Sequence, residues 1–447
     1  MNEQFEERES RKARMRRLRG QRARKIHQSL SIVFCLTLVV FIAANLLKKD
    51  SSFSDSENRM LAQRPEFSFS SIADGSFMKD FESYVSDQFF MRDSWISLKL
   101  LEDKLLGKKE SNGVYLGKQG YLMEIPDAPD EENLARNLRA IQDFYSRHTD
   151  LRISMALIPN SFHILKDKLP ANAPVRNQAE DIARITGTLG QSVNFLDVSP
   201  ALENHADENI YYKTDHHWTT LGAYYAFLSM ADGLGISNPI QNYTVYTVAN
   251  DFSGTLASKS GYHKSLDTVQ IYAPQDVEPE YIVTYSDDQT KYSSLYRSEC
   301  LNDKDKYTVF FGGNHATVDI ETPNEDKRVL LVFKDSYANC FIPFLTPYFR
   351  EIVMIDPRYY YESIDQVIQR KNVTDVLYLY NINTFLGDSS LADTLAADEL
   401  AQDAQTENGT TTDTGTEGAA GTDSTTDANN TTGADSTTGT DNTTGTD

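Results

Sequence analysis

Short apolar runs separated by helical stretches constrain this chain most. Val329 to Phe333, Glu351 to Ile355, Val376 to Tyr380 and Arg152 to Pro159 are dominated by apolar residues and too short for buried helices. Runs of that kind are strands covered on both faces. Between them the spacing predicts helices over Glu131–Arg147, Gln178–Leu189 and Trp218–Gly233, around Ser336–Leu345 and over Ser363–Arg370, and a short strand at Val193–Val198. Strands alternating with helices predict an α/β domain over residues 128–395, with a mostly parallel sheet and helices on both faces. Residues 242–319 break the alternation. They are rich in Tyr, Val, Thr and Gly and read as an antiparallel β insertion.

The ends of the chain differ from the middle. The net charge of −22 hides ten Lys/Arg against four Glu in the first 26 residues. Leu30–Leu47 is apolar apart from Ser, Thr and Asn, and eighteen residues span about 27 Å, close to a bilayer's hydrocarbon core. The sequence therefore reads as a basic cytoplasmic segment (1–29), a transmembrane helix (30–47) and an exported remainder. A signal peptide cleaved near Ala44 is the alternative; the long basic segment and long apolar run favour an uncleaved anchor. Residues 48–127 read as a juxtamembrane helical region, Asp74–Leu106, followed by an entry hairpin around Gly113–Leu122. The last 47 residues hold nine Asp/Glu and no Lys or Arg, and 402–447 is a Thr/Asp/Gly-rich repeat predicted to be disordered. Its Asn408, Asn430 and Asn442 would accept glycans only in a eukaryotic secretory route. The acidic body argues against nucleic acid or anionic lipid as its main ligand. Cys35, Cys300 and Cys340 are too few for a disulfide framework. Cys300 and Cys340 read as separate thiols, with pairing in an oxidising compartment as the alternative.

Two segments carry chemistry. Lys334-Asp335-Ser336-Tyr337 follows the run Val329–Phe333, placing a serine where a parallel sheet opens its ligand crevice. A helix starting there would add free N–H groups and a dipole favourable to an oxyanion; a plain N-cap serine is the structural alternative. Asp215-His216-His217-Trp218 supplies a carboxylate two residues from an imidazole, and a serine nucleophile needs such an oriented base. The same residues could instead be an N-cap and surface histidines, or metal ligands with His163, His205, His263 or His315. No HExxH-like spacing supports a metal, and none is expected. Gly313 and Asn314 could approach an oxyanion, or form a simple turn. Arg358, after Glu351–Ile355, could bind a substrate oxygen or form a surface ion pair. Asn381, after the last strand, is a weaker substrate-binding candidate.

Tyr212-Lys-Thr-Asp-His-His-Trp-Thr-Thr-Leu-Gly-Ala-Tyr224 resembles the signature of the bacterial DHHW proteins, which are similar to the alginate O-acetyltransferase group of the SGNH hydrolase superfamily. Ser56–Pro65, Tyr84–Arg92, Gly113–Leu122, Ile158-Pro159 and Lys334–Ala338 agree with that family, with Lys-Asp-Ser in place of Gly-Asp-Ser. The resemblance covers residues 53–390. It implies an SGNH-like, flavodoxin-like sheet in permuted order, with Ser336 as nucleophile, His217 as base and Asp215 as orienting acid. It further implies an extracytoplasmic O-acyltransferase with a glycan acceptor and no cofactor, supplied by a membrane-bound O-acyltransferase. An esterase with the same triad and a non-catalytic envelope scaffold or glycan-binding protein are the alternatives.

Overall fold

The computed structural model describes residues 2–54, 59–275 and 280–395. The tail 402–447 and part of the 56–65 segment lie outside the described residues. Helix α1 (Asn2–Leu47) opens the chain. Gln21–Leu47 is long and apolar enough to cross a membrane, with a mean hydropathy of 2.6 over its most apolar eighteen-residue window. Anchors and signal sequences share that character.

Helices α2 (Ser76–Asp87) and α3 (Arg92–Leu105) follow. Next come β1 (Glu110–Ser111), β2 (Val114–Leu116) and β3 (Leu122–Glu124), an antiparallel three-stranded sheet where the entry hairpin is expected. Helix α4 (Glu131–Arg147) begins at Asp130, whose carboxylate accepts the Glu132 and Asn133 N–H groups. It buries Leu134, Leu138, Ile141 and Phe144, a stripe at helical spacing. Strand β4 (Arg152–Ile158), helix α5 (Gln178–Leu189), strand β5 (Asn194–Phe195) and helix α6 (Thr220–Met230) complete the first half of the main domain.

The region 242–319 divides in two. Strands β6 (Tyr243–Phe252) and β7 (Asp267–Pro274) pair with each other as a separate antiparallel ribbon. Strands β8 (Ile282–Tyr285), β9 (Lys291–Tyr292) and β10 (Thr317–Glu321) instead extend the main sheet as an antiparallel edge. Then come β11 (Val329–Lys334), β12 (Glu351–Ile355), helix α7 (Ile364–Lys371), β13 (Asp375–Asn381) and helix α8 (Ile382–Gly387).

The eight-stranded sheet runs β9-β8-β10-β12-β11-β13-β4-β5. From β12 to β5 every pairing is parallel. Counted from β11, the parallel strands stand in the order 2-1-3-4-5, the flavodoxin-like order, with the chain entering at the fourth strand. Strand β11 is buried throughout. Leu330 and Val332 pack into one core with Trp218 and Phe341. Leu331 and Phe333 pack into the other with Phe144 and Tyr378. Burial on both faces is why the run lacks polar alternation.

Two expectations change. The helix expected from Trp218 starts at Thr220, because Thr219 caps it by accepting the Gly222 N–H and Trp218 pairs back to Tyr211. The helix expected at Ser336–Leu345 is a series of 3-10 turns, Ser336–Cys340, Ile342–Phe344 and Thr346–Tyr348. Pro343 and Pro347 each remove a backbone donor and prevent a continuous α-helix.

Truncating the fully buried Leu331 to Ala should cost about 2–5 kcal/mol, read as a lowered midpoint in chemical denaturation. A change within error would mean that this core face packs loosely.

Candidate active site

Strand β11 ends at the topological switch point, between β12 and β13, and Ser336 lies two residues beyond Lys334 there. The Asp335 carboxylate fixes the turn. It accepts the Tyr337 N–H at 2.9 Å and, across the switch point, the Asn381 N–H at 2.9 Å. The Ser336 side chain stays partly exposed while its neighbours on both sides are buried.

The Asp-His-His-Trp segment reaches the same place from the loop before α6. Ser336 Oγ and His217 Nε2 are 2.7 Å apart, and His217 Nδ1 and Asp215 Oδ1 are 2.6 Å apart. With Nδ1–H donating to the carboxylate, Nε2 is left to accept the serine proton. Asp215 is 1% exposed and accepts three further donors: the His217 N–H at 3.0 Å, and the Thr255 N–H and hydroxyl at 2.8 and 2.9 Å. Burial opposes its ionisation. The His216 and His217 imidazoles and these hydrogen bonds outweigh burial and hold the carboxyl well below its ordinary value. Burial, followed by the charge of His216, pushes His217 down to about 4 against the pull of Asp215. The imidazole is therefore neutral, and able to take a proton, at neutral pH.

Other members of the motif brace this relay. Trp218 donates its indole N–H to the Tyr337 carbonyl at 2.9 Å, and the Tyr337 hydroxyl donates to the His216 carbonyl. His216 pairs with the Thr255 hydroxyl at 2.8 Å. Potential ligand atoms of Asp215, His216 and His217 lie within 4.8 Å of one another, the one such grouping among the described residues. Both His217 nitrogens and both Asp215 oxygens already hold protein hydrogen bonds, so this donor set fits a proton relay better than a metal centre. His163, His205, His263 and His315 do not join it.

The remaining candidates separate. Phe311, Gly312 and Gly313 all have positive φ, so the glycines permit a tight turn. Asn314 Oδ1 accepts from the Lys334 ammonium at 2.9 Å and the Asn339 amide at 3.2 Å, which leaves its NH2 end to face outward. The Gly313 carbonyl accepts from Asn339. Arg358 forms a two-pronged ion pair with the fully buried Asp356, at 2.8 and 2.6 Å. Its charge still contributes to lowering the proton affinity of His217. Asn381 is buried, donates to the Ile158 carbonyl and accepts the Asn383 N–H. Both ends of its carboxamide are used, so it positions the strand ends rather than facing a substrate. The 3-10 turn at Ser336 replaces the expected helix and its dipole. Cys300 and Cys340 are free thiols.

Three contributors were not anticipated from the sequence. Tyr307 stacks on His217, centroids 3.9 Å apart and planes 13° apart, and donates to the Ser336 carbonyl at 2.9 Å. Thr255 holds both Asp215 and His216. Lys334 is 1% exposed and lies 3.5 Å from Asp356; burial pushes it down to about 8 despite that carboxylate. A cleft of about 240 Å³ beside His216 and Asn381, walled by Ile125, Pro129 and Leu386, opens next to the relay.

The family model described as DHHW protein matches residues 149–355, which span the relay's Asp215, His217 and Ser336. A DHHW family protein from Eubacterium siraeum is 26% identical, with a TM-score of 0.56 over 64% of this chain and 95% of that one. Bacillus cereus PatB1 shares the fold at 22% identity: its sulfonyl-adduct structure has a TM-score of 0.53 over 62% of this chain and 96% of that one. A second PatB1 structure, also 22% identical, gives 0.50 over 61% and 96%. None of the curated proteins matches significantly. In this chain the tetrapeptide Asp-His-His-Trp is Asp215–Trp218, and its first and third residues are those in line with Ser336.

Protonated His217 cannot accept the serine proton, so reaction of Ser336 with a fluorophosphonate probe should fall as pH drops through about 4. The same depression means that the unfolded chain binds more protons between about 4 and 6.5, so stability should rise with pH across that window. A labelling midpoint near 6.5 would show that burial does not control this imidazole.

Proposed function

We propose that this protein is a serine-dependent O-acyltransferase that works outside the cytoplasmic membrane on a glycan hydroxyl. The carrying observation is the unbroken line Asp215–His217–Ser336 at the switch point of the sheet. Ser336 Oγ attacks the donor's carbonyl carbon while His217 Nε2 takes its proton. The Ser336 N–H and the outward NH2 of Asn314 hold the tetrahedral oxyanion, with Arg358 adding positive potential. The oxyanion collapses, the donor's leaving group departs with the proton from His217, and an acyl ester remains on Ser336. His217 then deprotonates the acceptor hydroxyl, which attacks the ester and returns Ser336 to its free form. Water in place of the glycan would give an esterase by the same steps.

The localisation is supported by the basic segment followed by the apolar end of α1, the pattern that the positive-inside rule reads as an outward-facing domain. A membrane-bound O-acyltransferase as acyl source is taken from the family resemblance.

The test is Ser336→Ala in the full chain, assayed with an activated acyl ester and an oligosaccharide acceptor. Transfer should fall by about 10³-fold or more, with unchanged circular dichroism and loss of sulfonyl fluoride labelling. Full transfer activity in the folded variant would defeat the assignment of the nucleophile. Release of free acid without transfer, in the parent protein, would favour the esterase. A folded parent that neither labels nor turns over would leave the non-catalytic reading.

A further inference from the structure

A water-soluble amphipathic helix buries its apolar stripe. Helices α2 and α3 do not. Among the described residues, α3 buries no side chain and α2 buries only Asp87. Large apolar side chains face outward along this region instead, from Phe69 at 84% exposure to Leu105 at 81%, with Met78, Trp95 and Leu101 between. A contiguous surface of this kind marks an interaction site.

What covers it is indicated by its attachment to α1. Phe41, inside the apolar run, stacks on Phe89 and packs at a tilt against Trp95, with centroids 6.2 and 5.8 Å away. Asn45 Oδ1 accepts the Phe90 N–H at 2.8 Å, Lys48 Nζ donates to the Gln88 carbonyl at 3.2 Å, and the Tyr84 hydroxyl donates to Asp50 at 3.0 Å. These contacts fix α2 and α3 to the last turns of the membrane helix. Two open apolar grooves lie there, of about 1000 and 560 Å³. Both are lined by Phe81, Val85, Phe89 and Trp95, and the larger also by Leu38 and Ile42 of α1. Phe41 is six residues from the end of α1, about 9 Å along its axis, within the outer half of the apolar run. Trp and Tyr favour the membrane–water interface.

We propose that α2 and α3 lie in the surface of the bilayer that α1 crosses, with lipid acyl chains filling the two grooves. The adhesion is apolar rather than ionic: residues 69–109 carry six Lys/Arg and seven Asp/Glu, so neither anionic lipid nor low salt is required. The proposal rests on α1 remaining as the anchor, which the experiment reads separately.

The chain's two tryptophans make the test direct. Trp95 is 44% exposed in the grooves, and Trp218 is fully buried beside the relay. The full-length protein is placed in phosphatidylcholine nanodiscs containing lipids spin-labelled at shallow or deep positions. Shallow labels should quench most of the Trp95 emission, deep labels less, and high salt should change neither. Trp95→Phe should remove the quenched component while leaving Ser336 probe labelling intact. Equal, negligible quenching in parent and variant, with the chain resisting alkaline carbonate extraction, would overturn this proposal and spare the anchor. Extraction by carbonate would remove both. Quenching that appears only after another membrane protein is added would assign the surface to a protein partner and overturn the lipid assignment.

Discussion

A buried carboxylate has to be compensated by donors fixed in advance, and the region around Ser336 is organised by that requirement at Asp215. Four hydrogen bonds from His217 and Thr255 surround it. A side chain at position 254 would displace it, since a Cβ there would stand 2.3 Å from the Asp215 Cβ and 2.5 Å from Oδ2. Gly254 is thus a close-approach glycine rather than a flexible one. Because the carboxylate stays ionised, it orients the His217 ring. Because the ring is buried and stacked on Tyr307, it stays neutral and aimed at the serine. One desolvated charge therefore sets tautomer, orientation and proton affinity together.

A second buried charge stands on the other side of the serine turn. The Lys334 ammonium is held by Asn314, Asn339 and Asp356, and Asp356 is held in turn by Arg358. Lysine at this position places a buried ammonium at the centre of an ion-pair network. That network orients the Asn314 amide and ties the Gly313 turn to the end of β11. The cost of removing the ammonium from water is offset by one carboxylate and two amide oxygens, so removing any one partner leaves an unbalanced charge.

The parallel sheet was legible because β11, β12 and β13 are buried on both faces, which leaves continuous apolar runs that need no alternation. The reacting line was legible because Asp215 and His217 adjoin in sequence and Ser336 follows a strand end. The rest was not, for definite physical reasons. Thr255 and Tyr307 come from a region where nothing local distinguishes a hydroxyl that holds a carboxylate from one facing water. The edge strands β8–β10 read like β6 and β7, because periodicity reports a face and not a partner. The helix expected after Ser336 failed where apolar spacing competed with Pro343 and Pro347, and proline prevailed. Arg358 and Asn381 were chosen for position at strand ends, yet their side chains are largely spent on Asp356 and on Ile158 and Asn383.

The three-stranded sheet β1–β3 and the relay are not joined by a loose linker. The short helix Thr255–Ser260 sits between them. At its far end, Ser111 and Asn112 donate to the Ser260 and Lys259 carbonyls at 2.9 and 3.0 Å, and a Cβ on Gly261 would stand 3.0 Å from Ile96 of α3. At its near end, Thr255 holds Asp215, and the Ala257 N–H donates to the Thr214 carbonyl at 3.0 Å. Strand β3 adds a parallel route, with the Leu122 N–H donating to the Lys213 carbonyl at 2.7 Å. These hydrogen bonds tie the segment around Asp215 to the three-stranded sheet that follows α3.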